Sequence, residues 1–324
     1  MNIPNLSDFK IPGLPPAEEM KTMTVTLRHF LIASWAVPAT RVRALVPDHF
    51  ALDTLKVGGE TCAILQTTCF FNDNFHYTPL PRPSLDFWQS TYRVLTRSPL
   101  REDTMHAATP GHAMLRHDPG AWFFHTHLGT RASWVIQRAV AADAEYADFN
   151  IITREANNGA DYHQYIVDIT PPAAPANATV AVQSPQNSTQ NASPTQIAVR
   201  SVNEKTPVAP FADWNKMVHF LTFRLNGYYQ MSSLTGGENI GVLSVEHQLM
   251  QPIAAELVPI GGEVREARLG LWEKLGLMSQ DEMRRPFALL IQPEIVFVSH
   301  APKLLRAESL STHSPTRQSW QSGQ

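Results

Sequence analysis

Residues 60–71 read Glu60-Thr61-Cys62-Ala63-Ile64-Leu65-Gln66-Thr67-Thr68-Cys69-Phe70-Phe71. After Glu60, β-branched, aromatic and small apolar side chains follow one another without charge, as suits a buried strand. Asp86 to Thr96, with Phe87, Trp88, Tyr92 and Val94, reads as a second strand, and the turn-rich stretch Asn72 to Pro83 joins the two. Two such strands in succession place the chain among the β-rich folds.

Bulk properties agree with that reading. Twenty-five prolines and only 17% charged residues in 324 favour many turns and short strands over long helices. A chain of this length buries a full core without disulfides. The formal charge of −3, with no long basic run, lacks the electrostatic footprint of a nucleic-acid or membrane-surface binder. No stretch reaches the roughly 18 apolar residues of a membrane span. The expected partner is therefore a small molecule, with homo-oligomerisation left open. Met1 to Met20 lacks a basic start followed by an apolar run, so it does not read as a secretion signal. Cys62 and Cys69 lie seven positions apart in one strand, roughly 23 Å in extended geometry and on opposite faces, too far to pair. Free thiols in such a chain fit the cytoplasm.

Outward from the hairpin, the expected organisation is an N-terminal arm (1–22), one domain (23–305) and a disordered tail (306–324). Met23 to Phe30 reads as an edge strand, and Ser34 to Pro38 leads into a short helix that Pro47 ends. Ala121 to Leu128 reads as a strand and Arg131 to Tyr146 as a helix. Strands at Tyr162 to Ile169 and Gln196 to Val202 flank a Pro-, Ala-, Ser-, Asn- and Gln-rich tract at 171–195. The tract reads as a disordered insertion at a hairpin tip, with a domain linker as the alternative. Ala212 to Arg224 follows as a helix, Tyr228 to Met231 and Ile240 to Met250 as strands. Ser279 with Glu282 makes a capping box, and Phe287 to Val298 closes the fold as a strand.

Several of these segments together resemble the YqjF-like family of unknown function. They are Trp35-Ala36-Val37-Pro38, Leu45-Val46-Pro47, Phe50-Ala51-Leu52-Asp53, Phe87 to Arg93, Trp122-Phe123-Phe124, Trp134 to Arg138, Phe220 to Arg224, and Val245-Glu246-His247 before Ala254-Ala255-Glu256. The resemblance implies an α+β, β-rich fold of the acetoacetate decarboxylase type, a cone-shaped β-barrel with flanking helices. Where the family usually carries acids, this chain has Gln89 and Phe223. Acetoacetate decarboxylase forms a Schiff base through a lysine, whose place falls near Glu145 to Phe149, where this chain has Tyr146 and no lysine. Lys216 is the nearest lysine in the later half, read as a solvated helix residue or as an unusual Schiff-base former.

Two constellations carry chemistry. Arg93, Arg138 and Arg224 fall on family-matching strands or helices, and an arginine enclosed by a fold needs an anionic partner. Either Glu246, Asp143 or Glu256 supplies it, or a ligand does. His125-Thr126-His127 puts two imidazoles on one strand face, where they share a metal or simply form a polar surface. Arg131 stands where a third, carboxylate ligand would follow, leaving His247, His219 or His163 to complete a site if folding gathers them. There is no Gly-x-Ser-x-Gly elbow, phosphate loop or dinucleotide fingerprint.

The reading that results is a protein of unassigned reaction that binds a small anionic or keto-acid-like molecule. Arg93, Arg138 and Arg224 orient it, Gln89 and His247 add contacts, and Tyr146 lies near the reacting centre. The alternatives are a metal-dependent enzyme using His125 and His127, a Schiff-base lyase, and a non-catalytic binding protein. No cofactor is assigned.

Overall fold

The computed structural model of the protein describes residues 22–97, 119–139, 144–156, 161–171, 194–231, 240–260, 267–301 and 303–305. In chain order the elements are β1 (Thr22–Pro38), α1 (Ala39–Arg43), β2 (Ala51–Leu52), β3 (Thr54–Val57), β4 (Glu60–Tyr77), β5 (Leu80–Arg97), β6 (Pro119–Leu128), α2 (Arg131–Ala139), β7 (Glu145–Tyr146) and β8 (Asp148–Glu155). There follow β9 (Tyr162–Thr170), β10 (Thr195–Val202), α3 (Trp214–Thr222), β11 (Asn226–Gln230), β12 (Ile240–His247), β13 (Ile253–Leu257), β14 (Ala267–Leu269), α4 (Gly270–Lys274), α5 (Gln280–Met283), β15 (Ala288–His300) and β16 (Lys303–Leu305). The β-rich α+β expectation holds. No described helix is long and apolar enough to cross a membrane.

The strands hydrogen-bond in the order β16-β12-β11-β6-β5-β4-β1-β15-β13-β10-β9-β8. A further pairing of β12 with β15 joins β12, β11, β6, β5, β4, β1 and β15 into a closed ring. Closure removes the unpaired edges that seven strands would otherwise present.

Side chains alternate across this sheet, so its two faces carry separate cores. On β4, Ala63, Leu65 and Cys69 join one cluster with Trp35, Tyr92, Trp122 and Trp272. Ile64 and Phe70 join the other, covered by Met217, Val218 and Leu221 of α3. Asp213 caps α3 by accepting from the Lys216 backbone N–H at 2.9 Å, which satisfies one of the donors a helix start leaves free.

Several expectations need correction. Met23 to Phe30 is not an edge: β1 extends to Pro38 and pairs on both sides, with β4 and β15. Its polar start reads like an edge, but the apolar run that follows is buried from Phe30 to Trp35, and two neighbours cover it. The turn expected at Asn72 to Pro83 is almost all strand, the ladder persisting to Tyr77 opposite Leu80. The helix from Arg131 is described as far as Ala139, and it does not reach Tyr146 as expected, because Glu145–Tyr146 is a short strand parallel to β6. The helix expected at Ala212 to Arg224 is shorter, Trp214–Thr222. β9 and β10 do pair antiparallel, as two halves of a hairpin, and the capping box of Ser279 and Glu282 opens α5. Cys62 and Cys69 are free and buried. Nearly all of the arm, the tract at 171–195, the tail and Asp143 lie outside the described residues.

Candidate functional site

Arg93 and Gln66 stand opposite each other in the β4–β5 pairing, on the face covered by α3. Gln66 is wholly buried. Its amide nitrogen donates to Leu221 O at 2.9 Å and to Ser34 Oγ at 3.1 Å, and its oxygen accepts from Arg93 Nε at 2.9 Å. Among the described residues no carboxylate comes within salt-bridge distance of Arg93. Burial, and next the charge of Arg224, lower its pKa to about 9. The guanidinium thus stays charged at neutral pH, and it keeps part of its surface open although protein surrounds it.

Arg224, just beyond α3, is buried with its carboxylate partner: Nη1 donates to Asp53 Oδ2 at 2.7 Å. Nη2 donates to Phe220 O, and the guanidinium lies 4.8 Å from the centre of the Phe220 ring. Asp53 also accepts from Arg97 Nε at 3.2 Å, so one carboxylate serves two arginines and Arg93 goes without. Arg224 Nε is buried without a hydrogen-bond partner.

His247 completes this cluster. Its ring stacks on Phe297 at 4.5 Å and meets Phe223 edge-on at 6.0 Å. Nδ1 pairs with Gln248 O at 2.7 Å, while Nε2 is buried and unpartnered. Burial lowers its pKa, and the charge of Arg93 adds to the effect. Gln89 shares the Arg93 face but lies four residues back along β5, about 13 Å by strand rise, where it accepts from Asn72 Nδ2 at 3.2 Å.

His125 and His127 point to the opposite face of the same strands, with Tyr92 and Trp272. Both are buried, their ring centres 4.5 Å apart. Tyr92 packs edge-on against His127 at 5.4 Å, and its hydroxyl pairs with Thr195 Oγ1 at 2.6 Å. β7 brings Glu145 opposite His127, with a carboxylate oxygen 3.5 Å from His125 Nε2.

The remaining predicted residues lie apart. The Tyr146 hydroxyl donates to Asp148 at 2.7 Å at the protein surface, beside Arg131 at 5.9 Å from its ring and not beside Arg93. Arg138 sits on α2, and its side chain is outside the described residues. Lys216, His219 and His163 are exposed. Glu246 pairs with His300 and Glu256 with Arg200, so neither neutralises the arginines. Asp53, Gln66 and Glu145 are the participants that sequence reading missed. Asp53 was in view within Phe50-Ala51-Leu52-Asp53, but nothing local ties it to Arg224. A surface recess of about 510 Å³ near Gln196, Arg268 and Glu273 is lined by none of these side chains.

Comparison with known proteins follows from this geometry. The model of the family DUF2071, described as an uncharacterized conserved protein, matches residues 24–273. The chain belongs to the DUF2071 family. The YqjF-like reading of the sequence is thereby upheld. None of the curated proteins matches it. Among solved structures the chain is similar to acetoacetate decarboxylase from Legionella pneumophila, at 10% identity and TM-score 0.47, covering 92% of this chain and 94% of that one. It is also similar to an acetoacetate decarboxylase-like enzyme from Sphingomonas wittichii, at 9% identity and TM-score 0.45, covering 92% and 98%. A third is the enduracididine biosynthesis enzyme MppR in complex with pyruvate, at 9% identity and TM-score 0.42, covering 88% and 90%.

Proposed function

We propose that this DUF2071 protein binds a small anionic molecule, carboxylate or phosphate in kind, at Arg93. The supporting observation is the imbalance around that side chain. Arg97 and Arg224 share one carboxylate, Asp53, while among the described residues Arg93 is held by the neutral amide of Gln66 and by no acid. A cation so enclosed keeps a counter-charge requirement that water meets poorly. Arg224 Nε, buried with no hydrogen-bond partner among the described residues, is a further donor that an anion's oxygens would satisfy. Keto acids fall within this class, and the reaction, if one follows binding, is unassigned. Buried free thiols in Cys62 and Cys69 are in keeping with a reducing compartment such as the cytoplasm.

Calorimetric titration with phosphate, sulfate, pyruvate and acetoacetate tests the reading, with the wild type compared against Arg93→Met and Arg93→Lys. Saturable binding of at least one anion is expected. It should weaken about ten- to hundredfold in Arg93→Met, the equivalent of one charge-assisted contact, with Arg93→Lys between. Absence of saturable binding, or an unchanged affinity in Arg93→Met, overturns it.

A further inference from the structure

His125 and His127 pose a problem that the anion site does not touch. All four of their ring nitrogens are buried, and none has a hydrogen-bond partner among the described residues. A neutral imidazole carries one N–H donor and one lone pair, and leaving such groups unmatched in a protein interior costs about 1–3 kcal/mol each. Native interiors seldom tolerate this twice on neighbouring rings. Among the described residues nothing meets the two lone pairs.

The third group present indicates what would. β7 runs parallel to β6 and sets Glu145 opposite His127, so a carboxylate joins the two imidazoles from a separate segment. Ligand atoms of His125, His127 and Glu145 all lie within 4.8 Å of one another. Around a tetrahedral ion bound at about 2.0–2.2 Å, ligand atoms sit about 3.3–3.6 Å apart, so an ion needs a closure of roughly one ångström. His125 Nε2 and Glu145 already stand 3.5 Å apart, so the closure is needed between His127 and the other two, and Glu145, with 27% of its side chain exposed, is the ligand freest to shift. We propose that His125, His127 and Glu145 form a binding site for a divalent transition-metal ion.

Two imidazoles and one carboxylate favour zinc or ferrous iron over calcium or magnesium, which take oxygen ligands. Three protein ligands leave at least one position open to water or substrate, the arrangement of a catalytic ion and not of a structural one. The second nitrogen of each ring then needs an outer partner. Ser90, buried and opposite His127 in the β5–β6 pairing, offers a hydroxyl for one of them. Because Tyr92 and Arg93 are consecutive in β5, the metal site and the anion site lie on opposite faces, and each is testable without the other.

The test uses the full chain, purified without a histidine tag, stripped by chelator and titrated with cobalt(II) while its visible d–d bands are recorded. One cobalt per chain, displaced by zinc, is expected. His127→Gln should weaken binding about a hundredfold and Glu145→Gln at least about tenfold, while Arg93→Met leaves it unchanged. Circular dichroism checks that each variant folds. Should His127→Gln fail that check, Glu145→Gln, at a partly exposed position, decides alone. Absence of stoichiometric cobalt, or the same affinity in Glu145→Gln as in the wild type, overturns the proposal and leaves the rings to buried water.

Discussion

Arg224 Nη1 donates to Asp53 Oδ2 at 2.7 Å across 171 residues of chain, with 2% and 9% of the two side chains exposed. Such a pair contributes little over an apolar replacement, yet breaking it from one side strands a buried charge. Asp53→Asn should therefore destabilise the protein by about 3–5 kcal/mol in urea denaturation. Arg97→Ala, which removes the half-exposed partner of the same carboxylate, should cost no more than about 1 kcal/mol. Equal losses in the two variants would show that Arg224 does not depend on Asp53.

Gln66 holds Arg93 without neutralising it. Gln66→Glu would set a carboxylate against the guanidinium while removing the donor to Leu221 O. Anion binding should then fall at least as far as in Arg93→Met, although Arg93 is still present. An affinity retained in Gln66→Glu would mean that the anion is held elsewhere.

Burial raises the Cys69 thiol to about 12. The unfolded thiol ionises near pH 8.5, so between roughly 8.5 and 12 the folded state keeps a proton that the unfolded state has lost. Stability should accordingly be full below that interval and fall by about 1.4 kcal/mol per pH unit within it. Denaturation of the wild type and of Cys69→Ala at pH 9 and 10, where the buried tyrosines weigh on both proteins alike, should show the variant with the shallower slope. Parallel slopes would refute it.

At α5, Ser279 accepts from the Glu282 backbone N–H while Glu282 accepts from that of Ser279. Ser279→Ala should cost about 1 kcal/mol. The bond from the Ser279 backbone, chief among several contacts, lowers the Glu282 pKa. Its contribution is thus present above the carboxyl's unfolded value and lost as pH falls through the folded one. Urea midpoints at pH 7 and pH 3 should differ less for Glu282→Gln than for the wild type; an identical difference would count against the cap.

What could be read from residues alone was what depends on near neighbours. The uncharged run at Thr61 to Phe71 marked β4, and Ser279 with Glu282 marked α5, because strand preference and capping are local effects. The histidine pair was recognised for the same reason, as two imidazoles on one strand face, and Arg93 because it falls on a family-matching segment. Their partners were not. Gln66 meets Arg93 through strand register, and Asp53 meets Arg224 through closure of the fold, neither of which leaves a mark in the intervening sequence. Glu145 was hidden by reading the helix through to Tyr146, which sent the search for a third ligand to Arg131 instead. Likewise β1 resembled an edge until its second neighbour, β15, was known.

That neighbour matters for how the polypeptide is made. β15 lies near the described C-terminal end and touches β1, β12 and β13, so the first strand to leave the ribosome waits almost the whole of translation for one of its flanks. Contacts this distant along the chain slow folding and leave apolar strand surface open in nascent intermediates. A nascent chain halted before Ala288 should need a chaperone to stay in solution, and release of β15 is the event that lets the ring shut.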